Sequence, residues 1–240
     1  MTKVSKKLLV DIGNSNTVFA ECLESDFSFV TEKKTKELDG QFFESLFSKY
    51  DFIIVSSVVP HLNQLVEKFS QVKLVTPEVF KLFSTDVEDV FQVGADRLVN
   101  SYAAHRYYSY PSLIIDSGTA VTFCFLNEKG VYEGGAIIPG MGISSKALND
   151  YTAKIPYIQV KKQARFIGKN TKEAVEIGLY HSYQFIINGF IRSFRKMYPS
   201  LTVIGTGKGL EVFKDKLELD IFDEHLILKG LALLANEGET

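Results

Sequence analysis

The hydrophobic pattern of this chain occurs twice. Leu8-Leu9-Val10 runs into the polar stretch Asp11-Ile12-Gly13-Asn14-Ser15-Asn16-Thr17 and then Val18-Phe19, and later Leu113-Ile114-Ile115 runs into Asp116-Ser117-Gly118-Thr119 and then Ala120-Val121-Thr122-Phe123. In each copy an apolar strand ends in Asp-x-Gly, a short polar turn follows and a second apolar strand begins, which predicts a β-hairpin with aspartate at its tip. Because apolar-Asp-x-Gly is also a common way for a single strand to end, the echo alone leaves duplication and coincidence both open.

The remainder of each half favours duplication. After the first hairpin the pattern predicts a strand near 27–31, a helix near 41–48, a strand over 52–56, a short helix after Pro60, a strand over 72–75 and a helix near 95–108. After the second it predicts a strand over 131–138, helices over 141–150 and 170–198, a strand over 201–205, a helix over 210–217, a strand over 219–222 and a helix over 224–236. Three strands followed by alternating helices and strands argue for an α/β fold in which each half is a mixed sheet flanked by helices. No low-complexity linker intervenes, so the halves, 1–109 and 110–240, should meet at a tight junction near 108–112.

The helix over 170–198 has a capping signature, since Asn170 can cap it and Glu173 follows at capping-box spacing. At about 1.5 Å per residue it would span roughly 42 Å, more than a small half-domain needs. Val175, Leu179, Phe185, Ile186 and Phe190 give it apolar surface, and Gly178 and Gly189 would permit close helix approach. A core helix with two tolerated glycines and a homodimer interface both remain open.

Composition narrows the partners. The chain has 240 residues, 45% of them hydrophobic, enough for a full core in one large or two small domains. Its 27 Lys and Arg against 29 Asp and Glu leave a formal charge of −2, with no general field for nucleic acid or an anionic membrane, so any phosphate recognition must be local. Cys22 and Cys124 lie in apolar runs without Cys or His at metal-ligand spacing, as expected of core thiols in a reducing cytosol. Lys3, Lys6 and Lys7 precede an apolar run that reaches Asp11 too soon for a signal-peptide core. A soluble, unexported protein is expected.

Three segments can carry chemistry. Asp11 to Thr17 places a carboxylate, a glycine and small polar side chains in one turn: glycine lets backbone N–H groups approach phosphate, and Asp can hold Mg²⁺ directly or through water. The same residues populate ordinary hairpins. Gly94-Ala95-Asp96-Arg97 opens a helix; Asp96 there is either a favourable first-turn charge or a general base beside a cationic clamp. Gly205-Thr206-Gly207-Lys208-Gly209 is either a plain strand-to-helix turn or a close approach to an anion. Two motifs are excluded by inspection: Met141 stands where a P-loop after Gly135 would need lysine, and Leu210 where a dinucleotide fingerprint would need its third glycine.

Taken in order, Asp11-Ile12-Gly13-Asn14-Ser15-Asn16-Thr17, Gly94-Ala95-Asp96-Arg97, Asp116-Ser117-Gly118-Thr119-Ala120-Val121-Thr122-Phe123, Gly134-Gly135-Ala136-Ile137-Ile138-Pro139-Gly140, Thr152-Ala153-Lys154-Ile155-Pro156 and Gly168-Lys169-Asn170-Thr171 resemble the type III pantothenate kinases of the sugar kinase, Hsp70 and actin superfamily. The resemblance covers most of the chain. It implies two actin-like (ribonuclease H-like) half-domains and a cytoplasmic enzyme that phosphorylates pantothenate with ATP, the first step of coenzyme A biosynthesis. Asp11, Ile12, Gly13, Asn14, Ser15, Asn16, Thr17 and Val18 would form the ATP-phosphate segment, joined by Thr119. Asp96 would be the base, with Gly94, Ala95, Arg97 and Thr171 at the pantothenate site. Asp116 would help hold a monovalent cation, K⁺ or NH₄⁺, Mg²⁺ would accompany ATP, and a homodimer would form with Thr171 near its interface.

Two positions depart from the pattern. The family's tyrosine before Gly-x-Asp-Arg is missing from 87–93, where Phe91 is the nearest aromatic and takes its place at the substrate site without a phenol hydroxyl. The family's Thr-Gly-Gly turn reads Thr206-Gly207-Lys208, so altered adenosine contacts and weak ATP affinity are expected. The rival readings are a related kinase for another small hydroxylated acceptor and a nucleotide-binding regulator without turnover.

Overall fold

The computed structural model describes residues 5–23 and 26–237; Lys3 lies outside them. The apolar run that ends at Asp11 is a central strand, β1 (Lys7–Ile12), paired antiparallel with β2 (Asn16–Leu23), which pairs with β3 (Asp26–Lys34). Helix α1 (Gly40–Phe47) starts where the Asp39 carboxylate accepts the Phe42 N–H at 2.8 Å, an N-cap of the usual kind. It leads to β4 (Phe52–Ser57), parallel to β1. Helix α2 (Pro60–Val66) opens on a proline, whose missing N–H costs nothing in a first turn, and β5 (Val72–Leu74) follows, parallel to β4. The sheet order is β3-β2-β1-β4-β5. Strand alternation sends Leu8, Val10 and Ile12 into one core with Phe43, Phe47, Leu62 and Val66 of α1 and α2, which turns Leu9 and Asp11 to the opposite face. The helix predicted near 95–108 is α3 (Ala95–Tyr107).

The second hairpin starts an equivalent arrangement. β6 (Ser112–Ser117), β7 (Ala120–Leu126) and β8 (Tyr132–Pro139) form an antiparallel meander, followed by α4 (Met141–Asp150) and α5 (Thr171–Met197). β9 (Thr202–Thr206) runs parallel to β6, and β10 (Ile221–Phe222) parallel to β9. The order β10-β9-β6-β7-β8, read from its other edge, repeats the connectivity and strand directions of the first sheet. Leu113, Ile115 and Phe123 pack against Tyr180, Tyr183, Ile187 and Ile191 of α5. These are the two mixed sheets of an actin-like α/β fold.

One predicted helix is absent. Residues 210–217 form only two short 3₁₀ turns, Lys208–Leu210 and Lys214–Lys216. Leu210, Phe213 and Leu217 are buried as a helix would bury them, which explains the helical reading. The Asn188 side chain of α5, however, donates to the Lys216 carbonyl at 2.9 Å and accepts the Glu218 N–H at 3.0 Å. Asn188 thereby fixes the main chain just where the predicted helix would have ended. The strand after it is correspondingly shorter than the predicted 219–222.

The last helix, α6 (Leu226–Glu237), packs away from the half in which its sequence lies. Compact packing divides the chain into one unit made of residues up to Tyr107 together with those from His225 on, and a second unit, Tyr108–Glu224. α6 lies against α3, β1 and β4 and buries Leu226, Leu228, Leu231 and Leu234. Gly230 makes the contact close: a Cβ there would fall 2.5 Å from the Val99 carbonyl oxygen of α3. The Lys7 ammonium donates to Asn236 Oδ1 at 2.9 Å, and the buried Tyr102 hydroxyl donates to the Glu237 carboxylate.

Candidate active site

In the first unit the candidate phosphate turn is a short loop braced from behind. The Gly13 N–H donates to the Asn16 carbonyl at 3.0 Å and closes the hairpin. Thr35, which the motif reading missed, holds this loop: its hydroxyl donates to the Gly13 carbonyl at 2.6 Å, its N–H donates to the Ser15 carbonyl at 3.1 Å, and its Oγ lies 3.0 Å from that of buried Thr17. The Lys34 ammonium donates to Asn16 Oδ1 at 2.9 Å and brings a cation to the loop. Ile12 is core, and the Thr17 side chain is buried in the brace; Asn14 and Ser15 face solvent, and Asp11 and Val18 are half-buried. The outward offering is therefore backbone plus Asn14 and Ser15. Sequence could have pointed to Thr35 only through its place at the end of the third strand.

The second candidate segment meets the first through Val58. After β4 the Val58 N–H donates to the Ile12 carbonyl at 3.1 Å, and Val58 Cγ1 lies 3.7 Å from where a Gly94 Cβ would stand. That hypothetical Cβ would also be 2.6 Å from Asp96 Oδ1. A side chain at position 94 would crowd the Asp96 carboxylate and oblige it to shift. Asp96 Oδ1 accepts the Arg97 N–H at 2.8 Å. Burial pushes the Asp96 carboxyl above the ordinary aspartate value, and the Arg97 N–H and guanidinium offset only part of the shift. A carboxylate that costs energy to ionise is a better proton acceptor than an exposed one.

Beside Gly94 lies a pocket of about 360 Å³, walled by Val58, Val75, Pro77, Val93 and Leu98, with Ala95 and Phe91 also lining it. The Phe91 ring is 82% exposed. It sits on a 3₁₀ turn, Val90–Gln92, fixed by Asp89, whose carboxylate accepts the Phe91 N–H and the Gln92 side-chain amide, both at 2.9 Å. Phe91, Gly94 and Ala95 belong to the segment the motifs mark, whereas the walls from the end of β4, from α2 and from the stretch after β5 carry no motif. A larger groove of about 570 Å³ lies elsewhere, between α1 and α2, and none of the predicted site residues lines it.

In the second unit Asp116 ends β6 as Asp11 ends β1, and its hairpin is tighter: the Gly118 N–H donates to the Ala120 carbonyl at 2.9 Å. Three glycines pack on this tip. A Cβ on Gly140 would lie 2.4 Å from the Thr119 carbonyl oxygen, one on Gly207 would lie 2.4 Å from Asp116 Oδ1, and one on Gly209 would lie 2.3 Å from Ser117 Oγ. The Gly205–Gly209 turn thus approaches the Asp116 strand end of its own unit. Gly207 has φ +85°, a backbone that also favours glycine. The half-buried Thr119 belongs to this tip, whereas Thr171 stands exposed on the first turn of α5. There the Asn170 side chain accepts the Glu173 N–H at 2.9 Å, and the Glu173 carboxylate reaches back to the Lys169 N–H at 2.9 Å, one residue before the usual capping-box donor.

A family described as type III pantothenate kinase matches residues 7–193. The type III pantothenate kinase of Brevibacillus brevis is 34% identical over 253 residues, covering 97% of this chain and 99% of the relative. Among solved structures, a Campylobacter jejuni protein described as a Baf family transcriptional activator superposes with a TM-score of 0.65 at 21% identity, over 97% of this chain and 98% of that one. A glucokinase from an Antarctic psychrotroph superposes with a TM-score of 0.50 at 10% identity, covering 98% of this chain and 100% of the neighbour. The structural likenesses speak for the fold alone. With the family match spanning most of its length and a third of its residues shared with a full-length relative, the chain belongs to the type III pantothenate kinase family.

Proposed function

We propose that this protein transfers the γ-phosphoryl group of ATP to the primary hydroxyl of pantothenate, giving 4′-phosphopantothenate and ADP in the cytoplasm. Beyond family membership, the observation that carries the reading is Asp96: a desolvated carboxylate at the start of α3, packed over Gly94, which itself lines an apolar pocket. Asp96 accepts the proton of the attacking hydroxyl and orients it. Arg97, next along the helix, offers a cationic partner to the carboxylate end of pantothenate. Backbone N–H groups of the Gly13–Ser15 loop and the Asn14 and Ser15 side chains hold the phosphates, and the Lys34 ammonium adds positive charge there. Thr119 is assigned a contact to ATP phosphate.

The residues present fit the ions expected with ATP. Asp11 and Asp116 each offer one half-buried carboxylate at a strand end, the donor type for a Mg²⁺ that keeps waters and rides on nucleotide phosphates. Asp116, with the Ser117 carbonyl beside it around Gly207, offers oxygens of the kind that K⁺ or NH₄⁺ takes. Bound there, the cations would neutralise phosphate charge as it develops.

The quaternary reading is a homodimer through α5. Gly178, Phe185, Ile186 and Gly189 lie along one exposed stripe, and a Cβ on either glycine would meet nothing within 4 Å. Phe190, by contrast, stacks on Phe123 in the core with ring centroids 4.1 Å apart. Thr171 belongs to the same helix and would reach pantothenate near that interface. The test of the activity is phosphopantothenate formation by the purified protein with ATP, Mg²⁺, K⁺ and pantothenate; absence of product overturns the assignment.

A further inference from the structure

A core tyrosine of the second unit reaches back toward the candidate phosphate tip. The Tyr183 ring of α5 is buried in the same cluster as Leu113, Ile115 and Phe123, surroundings that a phenylalanine would suit equally well. Its hydroxyl donates to the Pro139 carbonyl at 2.6 Å and lies 2.7 Å from Ser144 Oγ on the first turn of α4. A phenol has one proton, so with that proton on the Pro139 carbonyl the Ser144 hydroxyl is the donor in the second bond. One oxygen thus ties α5 both to the last residue of β8 and to the start of α4. The main chain held in this way carries the hairpin tip. Pro139 stands opposite Ala120 in the β7–β8 ladder, and the next residue, Gly140, donates its N–H to the Thr119 carbonyl at 3.0 Å. A Cβ on Gly140 would lie 2.4 Å from the Thr119 carbonyl oxygen and 2.6 Å from that of Gly118, so the tip rests directly on the Gly140 backbone. The Gly140 carbonyl in turn accepts the Ser144 N–H at 3.0 Å, which opens α4.

We infer that Tyr183 is a positioning residue for ATP: its hydroxyl fixes the Pro139–Gly140 main chain and, through Gly140, the Gly118–Thr119 tip. The inference rests on the ATP reading of Thr119 above and deepens it. Tyr183 acts through Gly140 and not on the nucleotide itself. Without the hydroxyl, the Pro139 carbonyl and the Ser144 hydroxyl each lose a partner, and the junction settles where other partners can be found. A phosphate contact is sensitive to such a shift, because displacement by about 1 Å is enough to spoil a binding or reacting geometry. The Gly94–Arg97 segment assigned to pantothenate lies in the first unit and takes no part in this series of contacts. The effect should therefore fall on ATP and spare the acceptor.

The experiment measures Kd for ATP with Mg²⁺ by calorimetry, and KM for ATP and for pantothenate, in the wild type, Tyr183→Phe and Ser144→Ala. Tyr183→Phe keeps the ring in the core and should weaken ATP about tenfold in both Kd and KM, with KM for pantothenate and the circular dichroism spectrum unchanged. Ser144→Ala leaves the Tyr183 bond to Pro139 in place and should weaken ATP about threefold. Unchanged ATP affinity in folded Tyr183→Phe overturns the inference, and so does an equal rise in KM for both substrates, which would mean that the hydroxyl only stiffens the unit. Where Tyr183→Phe does not fold, unchanged ATP affinity in Ser144→Ala overturns it instead. A wild type that binds ATP but forms no phosphopantothenate overturns the acceptor reading, and Kd alone then decides this inference; a wild type that binds no ATP overturns both.

Discussion

Asp96 and Gly207 carry the sharpest expectations for single residues. Asp96→Asn should lower phosphopantothenate turnover by at least about a hundredfold, the lower range for loss of a general base, while circular dichroism stays unchanged; near-wild-type turnover would reject the base. The same change should raise the melting temperature at neutral pH. The folded pKa of Asp96 lies above its unfolded value, so the native state binds the proton more tightly. The stabilisation from the protonated form is present below about pH 3.9 and is lost as pH rises through the folded pKa. The melting-temperature gain of Asp96→Asn should therefore vanish in acid, and the acid limb of wild-type kcat/KM should lie above the ordinary aspartate range. Gly207→Ala combines φ +85° with a Cβ placed 2.4 Å from Asp116 Oδ1. It should cost about 1–3 kcal/mol in urea unfolding and weaken turnover by displacing Asp116. At this scale Asp11, Asp96 and Asp116 were legible from their motifs. Thr35 was not, because a side chain that braces a loop from another element leaves no local spacing to read.

Helix α5 shows how far element-level signals reach. Its start was readable, since Asn170 caps it as the sequence suggests, and Asn170→Ala should cost about 1 kcal/mol, seen as a lower urea midpoint with unchanged slope. Its two glycines were ambiguous in sequence, and the structure leaves both on an exposed stripe with Phe185. Phe185→Glu should halve the mass measured by light scattering while helix content holds; a wild-type monomer would overturn the dimer. The span 210–217 marks the limit in the other direction. Apolar spacing predicts which of its residues are buried, but not that they would lie on two short 3₁₀ turns whose end is held by Asn188.

For the whole molecule, the decisive element is α6. Ending the chain at Glu224 removes Leu226, Leu228, Leu231 and Leu234, each worth about 2 kcal/mol when buried, a loss comparable with the stability of an ordinary domain. Hydrogen exchange should then lose protection in β1 and β4 while β6 and β9 stay protected; protection retained in β1 and β4 would reject the role given to α6. The sequence by itself determined the two Asp-x-Gly hairpins, the alternation of strands and helices after each, and the order of the motifs, because periodicity and turn chemistry are local. Only the tertiary structure decided that the last helix completes the first unit, that Gly94 and Gly207 leave their space to Asp96 and Asp116, and that an apolar pocket opens beside Gly94. Those outcomes depend on which distant surfaces meet, and no stretch of sequence specifies its partner across the fold.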